Sequence, residues 1–297
     1  MAKTPRYPIF VLSKGRWESR LTSKALDRMR VPYRMIVEPQ EAEAYAAAVG
    51  AERLLILPEG NQGLGSIPAR NAAWAEAERL GAARHWVLDD NIEAFNRLNR
   101  NCKPEVETGA MFAAAEDFVD RYENVPLAGF NYYCFAKASE PVPPYYLNTR
   151  VYSCILLDTS LPFRWRGRYN EDTDLSLRVL KAGYCTVLFN AFLAGKVTTM
   201  RMRGGNTDVL YAGDGRKAMA ESLAAQHPDL VKVVWKFGRW QHSVDYRPFR
   251  ATRLRRRQDV VVPTGVDNYG MVLRTFPRVR GPRTSIPHQE RVCPIPS

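Results

Sequence analysis

No run in the 297-residue chain approaches the roughly 18 apolar residues of a membrane-spanning helix, so such a span is excluded. The opening segment MAKTPRYPIFVLSKGRW (1–17) has basic residues but no long apolar stretch before it enters a strand-like run, so it does not read as a signal peptide. Five cysteines (Cys102, Cys134, Cys154, Cys185, Cys293) form no CxxC and no tight Cys/His cluster, which argues against a disulfide framework and structural zinc. A cytoplasmic setting is the simplest expectation. The glycine-rich stretch GNQGLGSIPARN (60–71) is not GxGxxG, and GxxxxGK[ST] is absent, so neither a dinucleotide site nor a P-loop is indicated. GxSxG is also missing, which leaves nucleophilic hydrolysis without support. There are only four histidines, and no lysine in the last 57 residues.

What is present is ordinary globular composition, 45% hydrophobic and 25% charged, in a length that suits one large domain or two small ones. No internal repeat is apparent. The net charge is +12, and it is unevenly placed. Residues 241–297 hold 11 arginines against 4 acidic residues, a net +7, and are rich in proline. We therefore expect a core over 1–240 and a basic extension over 241–297. A basic surface favours polyanionic partners; solubility alone is the plainer explanation.

The first half alternates strand-like and helix-like segments. PIFVL (8–12), YRMIVE (33–38), RLLILP (53–58) and RHWVLDDN (84–91) read as strands; 19–30, 40–48 and IPARNAAWAEAERLG (67–81) read as helices. This rhythm predicts an α/β fold with a mostly parallel sheet flanked by helices. Later, 107–123 and RYNEDTDLSLRVLKAG (168–183) read as helical. VPLAGFNYYCFA (125–136), NTRVYSCILLDTS (148–160) and YCTVLFNAFLA (184–194) read as strands. In such sheets ligands sit at the carboxyl ends of strands. Three of those ends carry polar groups: Ser13–Lys14–Gly15–Arg16, Glu38, and Asp89–Asp90–Asn91.

WVLDDN is the sharpest feature. Carboxylates beside an Asn oxygen suit Mg²⁺ or Mn²⁺, hard ions that often bridge protein to phosphate. Along an extended strand Asp89 and Asn91 share a face and Asp90 faces away, which leaves one acid for metal and another for a ribose hydroxyl. The alternative is a solvated Asx turn. A second acid cluster, Glu171, Asp172 and Asp174, falls at a helix start. There Asp172 or Thr173 could simply cap the helix, or clustered acids could raise one another's pKa and supply a general base. Arg70 and Asn71 begin the IPARN helix; Arg70 suits a diphosphate, with Asn71 holding the loop, though a surface Arg is the plainer role. Lys14, Arg16 and Arg20 are similar candidates. The segment 195–208, with Lys196, Arg201, Arg203 and a Gly-Gly-Asn turn, could close over phosphates or be a surface hairpin. His85 and His227 read as structural, and His242 as a lesser phosphate or metal candidate.

The SKGRW turn, Glu38, IPARN, WVLDDN and YNEDTDLSLRVLKAG, in this order over residues 8–183, resemble a family-2-type nucleotide-sugar glycosyltransferase of the GT-A (Rossmann-like) fold. The QxxRW acceptor motif of family 2 is missing. More closely, PIFVLSKGR, TSKAL, IVEP, PARN, WVLDDNI, YNEDTDL and AGKVTTMRMRGGNTD resemble the TET-associated DNA glycosyltransferases. Phages encode these beside a TET/JBP-type dioxygenase, and they act on hydroxymethylated pyrimidines.

That resemblance implies a UDP-sugar donor with its base and ribose near Ser13, Arg16 and Glu38. Its diphosphate would lie on Mn²⁺ or Mg²⁺ held by Asp89, Asp90 and Asn91, with Lys14, Arg70 and Lys196 assisting. Asp172 would act as base, with Glu171 as the alternate, and Asp174 would orient the sugar or cap the helix. The acceptor would be 5-hydroxymethylcytosine in phage DNA inside the bacterial host, with no membrane partner. The basic extension and the aromatics Trp235, Phe237, Trp240 and Tyr246 would hold DNA. Rival readings are a transferase acting on a polysaccharide or lipid carrier, a non-catalytic nucleic-acid-binding GT-A domain, and a nucleotidylyltransferase.

Overall fold

Strand β1 (Ile9–Leu12) is buried at all four positions, as a wholly apolar run must be when helices cover both faces of its sheet. Its side chains alternate between two apolar layers. Ile9 and Val11 join one core cluster, and Phe10 and Leu12 the other. In this computed structural model the described residues are 4–99, 102–137, 142–197, 215–261 and 265.

The remaining elements follow in chain order: α1 (Leu21–Arg28), β2 (Arg34–Val37), α2 (Ala42–Val49), β3 (Leu54–Ile56), α3 (Ile67–Arg79), β4 (Arg84–Asp89), β5 (Ile92–Arg97), α4 (Ala110–Val119), β6 (Leu127–Tyr132), β7 (Tyr145–Leu147), β8 (Cys154–Asp158), α5 (Glu171–Lys181), β9 (Thr186–Lys196), α6 (Gly215–Gln226), β10 (Val231–Lys236) and β11 (Arg239–Val244). The main sheet has the order β3-β2-β1-β4-β8-β6-β9-β5, with β7 on β9. Pairing is parallel from β3 to β4 and again between β6 and β9. Strands β8, β5 and β7 run antiparallel to their neighbours. The sheet is therefore mixed: its parallel half is the βα repeat seen in the sequence, and the direction of the later strands has no signature in apolar periodicity. Leu26, Tyr45 and Phe112, from α1, α2 and α4, pack in one layer; Trp74 and Val179, from α3 and α5, pack in the other.

Two compact units are present, Met1–Arg256 and Arg257–Ser297. The boundary expected at 240/241 falls inside β11, which pairs antiparallel with β10 from Val231↔Val244 to Lys236↔Arg239. Within the first unit, α6, β10 and β11 carry a small core of their own, with Leu177 and Leu180 of α5 in it. Among the described residues no helix is long and apolar enough to cross a membrane.

Candidate active site

Register brings the polar strand ends to one rim. Leu12 lies opposite both Ile36 and Asp89, and the Ser13 N–H donates to the Ile36 carbonyl at 3.1 Å. Ser13, Lys14, Arg16, Glu38, Asp89, Asp90 and Asn91 consequently line one cleft, closed on its far side by Gly65, Ser66 and Pro68. Gly65 has φ of +66°, a left-handed conformation that costs glycine little.

The two aspartates of WVLDDN face different partners. Asp90, 5% exposed, accepts from Ser13 Oγ at 2.7 Å and is ion-paired with Arg16. Burial pushes its carboxyl above the ordinary range, against the pull of Arg16 and Ser13. The Ser13 hydroxyl also meets the hydroxyl of buried Tyr45, which accepts from the Arg16 backbone N–H at 3.0 Å and so fixes the SKGR turn. Lys14 Nζ is 2.8 Å from Glu38 Oε1 and 3.0 Å from Asn61 Oδ1. Burial acts to raise the Glu38 carboxyl, but hydrogen bonds from Lys14 and Gln40 bring it below its ordinary value.

Asp89 turns toward the middle of the molecule. It accepts from Ser153 Oγ at 2.6 Å and is paired with Lys196 Nζ at 2.8 Å and Arg70 Nη2 at 3.3 Å. Burial opposes its ionisation, but Lys196 and Arg70 prevail and hold it at about 2. In return Asp89 outweighs the desolvation of Lys196 and raises that ammonium's pKa. Lys196 is the last residue of the 11-residue β9, and the following Val197 N–H donates to the Asn91 carbonyl. Arg201, Arg203 and the Gly-Gly-Asn turn lie outside the described residues.

Arg70 joins the two acid clusters. It is 3% exposed, stacks over Trp165 at 4.6 Å, and from Nε donates to Ser66 Oγ and Glu171 Oε1, both at 3.1 Å. Its Nη1 is buried with no hydrogen-bond partner. Pro68 sits in the first turn of α3, where its missing N–H costs nothing. The side-chain amide of Asn71 clamps the Trp165 backbone, its Nδ2 donating to the Trp165 carbonyl and its Oδ1 accepting from the Trp165 N–H, each at 3.1 Å.

Helix α5 begins after Asn170, which is left-handed at φ 54°, ψ 35°, a conformation asparagine tolerates. Asn170 therefore occupies the cap position, and Glu171, Asp172 and Asp174 all fall in the first turn. Glu171 belongs to Arg70 and Ser66. Asp174 is fully buried and bonded to Arg166, Arg178 and His227. Burial acts to raise its carboxyl, but these partners bring it below its ordinary value. It is thus committed to packing rather than to a sugar. His85 is likewise a core residue on Thr159, pushed down to about 3 by burial and Arg164. Asp172 is half-buried and accepts only from the N–H and hydroxyl of its neighbour Thr173 among its described bonds. Desolvation, with Glu171 beside it, raises its carboxyl to about 6 against the pull of Arg70.

Ser153, Trp165, Ser66 and Tyr132 were not visible as site residues in the sequence. Tyr132 donates to or accepts from Ser153 at 2.7 Å, and Lys196 lies 5.4 Å from its ring. Ser66 at least lay in the glycine-rich loop; the others carried no signal. Among the described residues no three His, Cys, Asp or Glu side chains converge on a common point.

Three solved structures show loose likeness. A putative nucleotide-diphospho-sugar transferase from Desulfovibrio desulfuricans is 12% identical with a TM-score of 0.36, covering 63% of this chain and 80% of that one. A CMP:2-keto-3-deoxy-manno-octonic acid synthetase complexed with CTP is 11% identical at 0.36, covering 62% and 88%. A mannose-1-phosphate geranyltransferase from Thermus thermophilus is 17% identical at 0.29, covering 64% and 57%. At these scores the likeness adds nothing to what the sheet order already shows. No curated protein matches. The family described as TET-Associated Glycosyltransferase, in contrast, matches residues 7–205, more than half of the chain and all of the cleft. With that span matched on a helix-flanked sheet of the GT-A type, the chain belongs to the TET-Associated Glycosyltransferase family and is a nucleotide-sugar-dependent glycosyltransferase.

Proposed function

We propose that the protein moves a sugar from a UDP-sugar to the hydroxymethyl oxygen of 5-hydroxymethylcytosine in phage DNA, inside the bacterial host, with inversion at the anomeric carbon. The observation that carries this is the joining of the two acid clusters: Arg70 pairs with Glu171 on one side and with Asp89 of the cleft on the other, and the neighbouring Asp172 is a half-buried carboxyl raised to about 6. A base poised near the working pH combines a large ionised fraction with a real appetite for a proton.

In this reading the donor's base and ribose rest over Ser13, Arg16, Glu38 and Asp90, with its diphosphate toward Asp89. Asp172 takes the acceptor's hydroxyl proton as that oxygen bonds to the anomeric carbon. The bond from that carbon to the β-phosphate oxygen breaks, and the electron pair leaves on UDP. Arg70, with its Nη1 unspent, and Lys196 would stabilise the negative charge as it grows there. Glu171 holds Arg70 in place, which makes it a positioning residue in this scheme.

A divalent ion fits the same corner. Asn91 has a buried Oδ1 that meets no donor, and Asp89 offers a carboxylate beside it. Two protein oxygens are few, but Mg²⁺ commonly keeps waters and substrate phosphates as its other ligands. Four carboxylates (Glu38, Glu59, Asp89, Asp90) against Lys14 and Arg16 also leave the cleft lining short of positive charge for a diphosphate. Mn²⁺ or Mg²⁺ held by Asp89 and Asn91 would supply that charge, Asp89 exchanging its pairing with Lys196 or Arg70 for the ion; Asp90, bonded to Ser13 and Arg16, would stay with the ribose. Calorimetry of UDP with and without Mg²⁺ or Mn²⁺ tests this: affinity independent of the metal rejects it.

The whole proposal is tested by mass spectrometry of hydroxymethylcytosine DNA after incubation with a panel of UDP-sugars. A mass increase of one hexose or related sugar on the modified base is expected. No adduct with any donor overturns the acceptor.

A further inference from the structure

A second cleft, of about 720 Å³, lies between the main sheet and the β10–β11 hairpin. It shares no lining residue with the first. Its charge is one-sided: Arg150, Lys236, Arg250 and Arg253 line it, and none of its described lining residues is acidic. Aromatic faces stand among these cations. Tyr146 and Phe135 are exposed on one wall, and Phe237 is 79% exposed at the tip of the hairpin. Arg150 lies over the Tyr152 ring at 4.9 Å, and Tyr152 stacks on Tyr132 at 5.6 Å and 17°. Asn148 adds a polar feature to the wall. Its Nδ2 is spent on the Phe249 and Thr252 carbonyls, at 2.8 and 3.0 Å, which leaves its Oδ1 without a partner.

The segment that lines this cleft is tied to both acid clusters. The Val151 N–H donates to Ser176 Oγ at 3.3 Å, and Ser176 in turn donates to the Asp172 carbonyl at 2.8 Å. Two residues on, Ser153 bonds Asp89. Arg150 and Tyr152 therefore flank residues bonded to the helix that bears the candidate base and to Asp89.

We propose that this second cleft is the acceptor groove and that it takes the target as an unpaired nucleotide, extruded from a duplex or already single-stranded. The cations would meet the phosphates on either side, and Tyr146, Phe135 and Phe237 the faces of the bases. A volume of this size is that of a small-molecule pocket and does not admit a duplex. Cations interleaved with aromatic faces bind single strands with little sequence preference, since every base has a π-face. An enzyme that must reach a group on a base takes that base out of the stack. The groove-lining residues Arg150 and Tyr152 flank Val151, whose N–H bonds through Ser176 to the Asp172 backbone, so the groove and the candidate base are neighbours in the fold. This assignment rests on the functional reading above.

The test is fluorescence anisotropy with the full chain and a labelled hydroxymethylcytosine oligonucleotide, single-stranded or fully paired, over a series of salt concentrations. The unpaired strand is expected to bind at least ~10-fold more tightly, since it owes no unstacking. The double variant Lys236→Ala/Arg250→Ala is expected to flatten the log K against log salt slope by about 1.4, two phosphate contacts on a single strand. Lys24→Ala/Arg28→Ala removes the same charge from α1, outside both clefts, and should leave the slope near wild type. Tyr146→Ala should weaken the unpaired strand while leaving the slope unchanged. Tighter binding of the duplex, or equal slopes for the two charge variants, overturns the groove. Absence of sugar transfer by the wild type would instead overturn the functional reading, and the binding slopes would be unaffected by it.

Discussion

Asp172 sits between opposing influences. Desolvation and the neighbouring Glu171 push its proton affinity up, while Arg70 and the Thr173 N–H push it down, and the balance lies near 6. A base works in its ionised form, so kcat/KM is expected to rise with pH through about 6 and level off above it. Asp172→Asn should lose about 10²- to 10⁴-fold in kcat, the usual worth of a general base, with little change in KM for the donor. Glu171→Gln removes a like charge from Asp172 and releases Arg70 toward it. Both effects lower the Asp172 pKa, so the rising limb should move to lower pH in a pH–rate profile; a limb that moves the other way counts against Asp172 as the base, and loss of nearly all activity would mark Glu171 as the base instead. These acids could be picked out in the sequence because three carboxylates within four residues exceed what one helix cap needs, and the other pair ends a strand on the ligand side of the sheet. Ser153 and Trp165 could not, because single residues in loops acquire meaning only from what the fold sets against them.

At the scale of elements, the first turn of α5 divides its three acids between chemistry and packing. Left-handed Asn170 starts the helix early enough that Asp172 remains half-exposed while Asp174 points inward onto Arg178 at 2.8 Å and His227 at 2.9 Å. Asp174→Ala would strand the Arg178 guanidinium, 14% exposed, beside a buried histidine. The expected loss is about 3–5 kcal/mol, read from urea unfolding. Asp172→Asn should be at least as stable as wild type above pH 6, because there the ionised, desolvated carboxyl costs the folded state more than the unfolded one. The sequence alone could not separate these two acids, since their difference is one of helix phase set by where the cap falls. Strands β1 to β4 and helices α1 to α5 were legible from apolar runs and glycine stops. Strands β5, β7 and β11 were not: they are short or polar, and neighbours rather than periodicity hold them.

On the scale of the whole molecule, the question is where the +12 acts. The basic extension expected over 241–297 is only partly a separate matter: Arg250 and Arg253 line the second cleft within the first compact unit, together with Lys236, just before that extension, and Arg150, far earlier in the chain. A linear reading of charge could not group these four, because the sheet and hairpin assemble them from three stretches. If they are the contacts that matter, four cations on a single strand predict a log–log salt slope of about −3, which is roughly a 50-fold loss of DNA affinity between 50 and 200 mM salt. The donor offers one diphosphate, so KM for the UDP-sugar should move far less over the same range, and steady-state kinetics varied in each substrate separates the two. A diffuse field from the net charge would behave differently. It would steepen with any added cation and weaken with any removed one, so that Lys24→Ala/Arg28→Ala would flatten the slope for DNA as much as Lys236→Ala/Arg250→Ala does. Local contacts make the two variants unequal, and that inequality, measured as a ratio of KM values for DNA at two salt concentrations, distinguishes a groove from a merely basic surface.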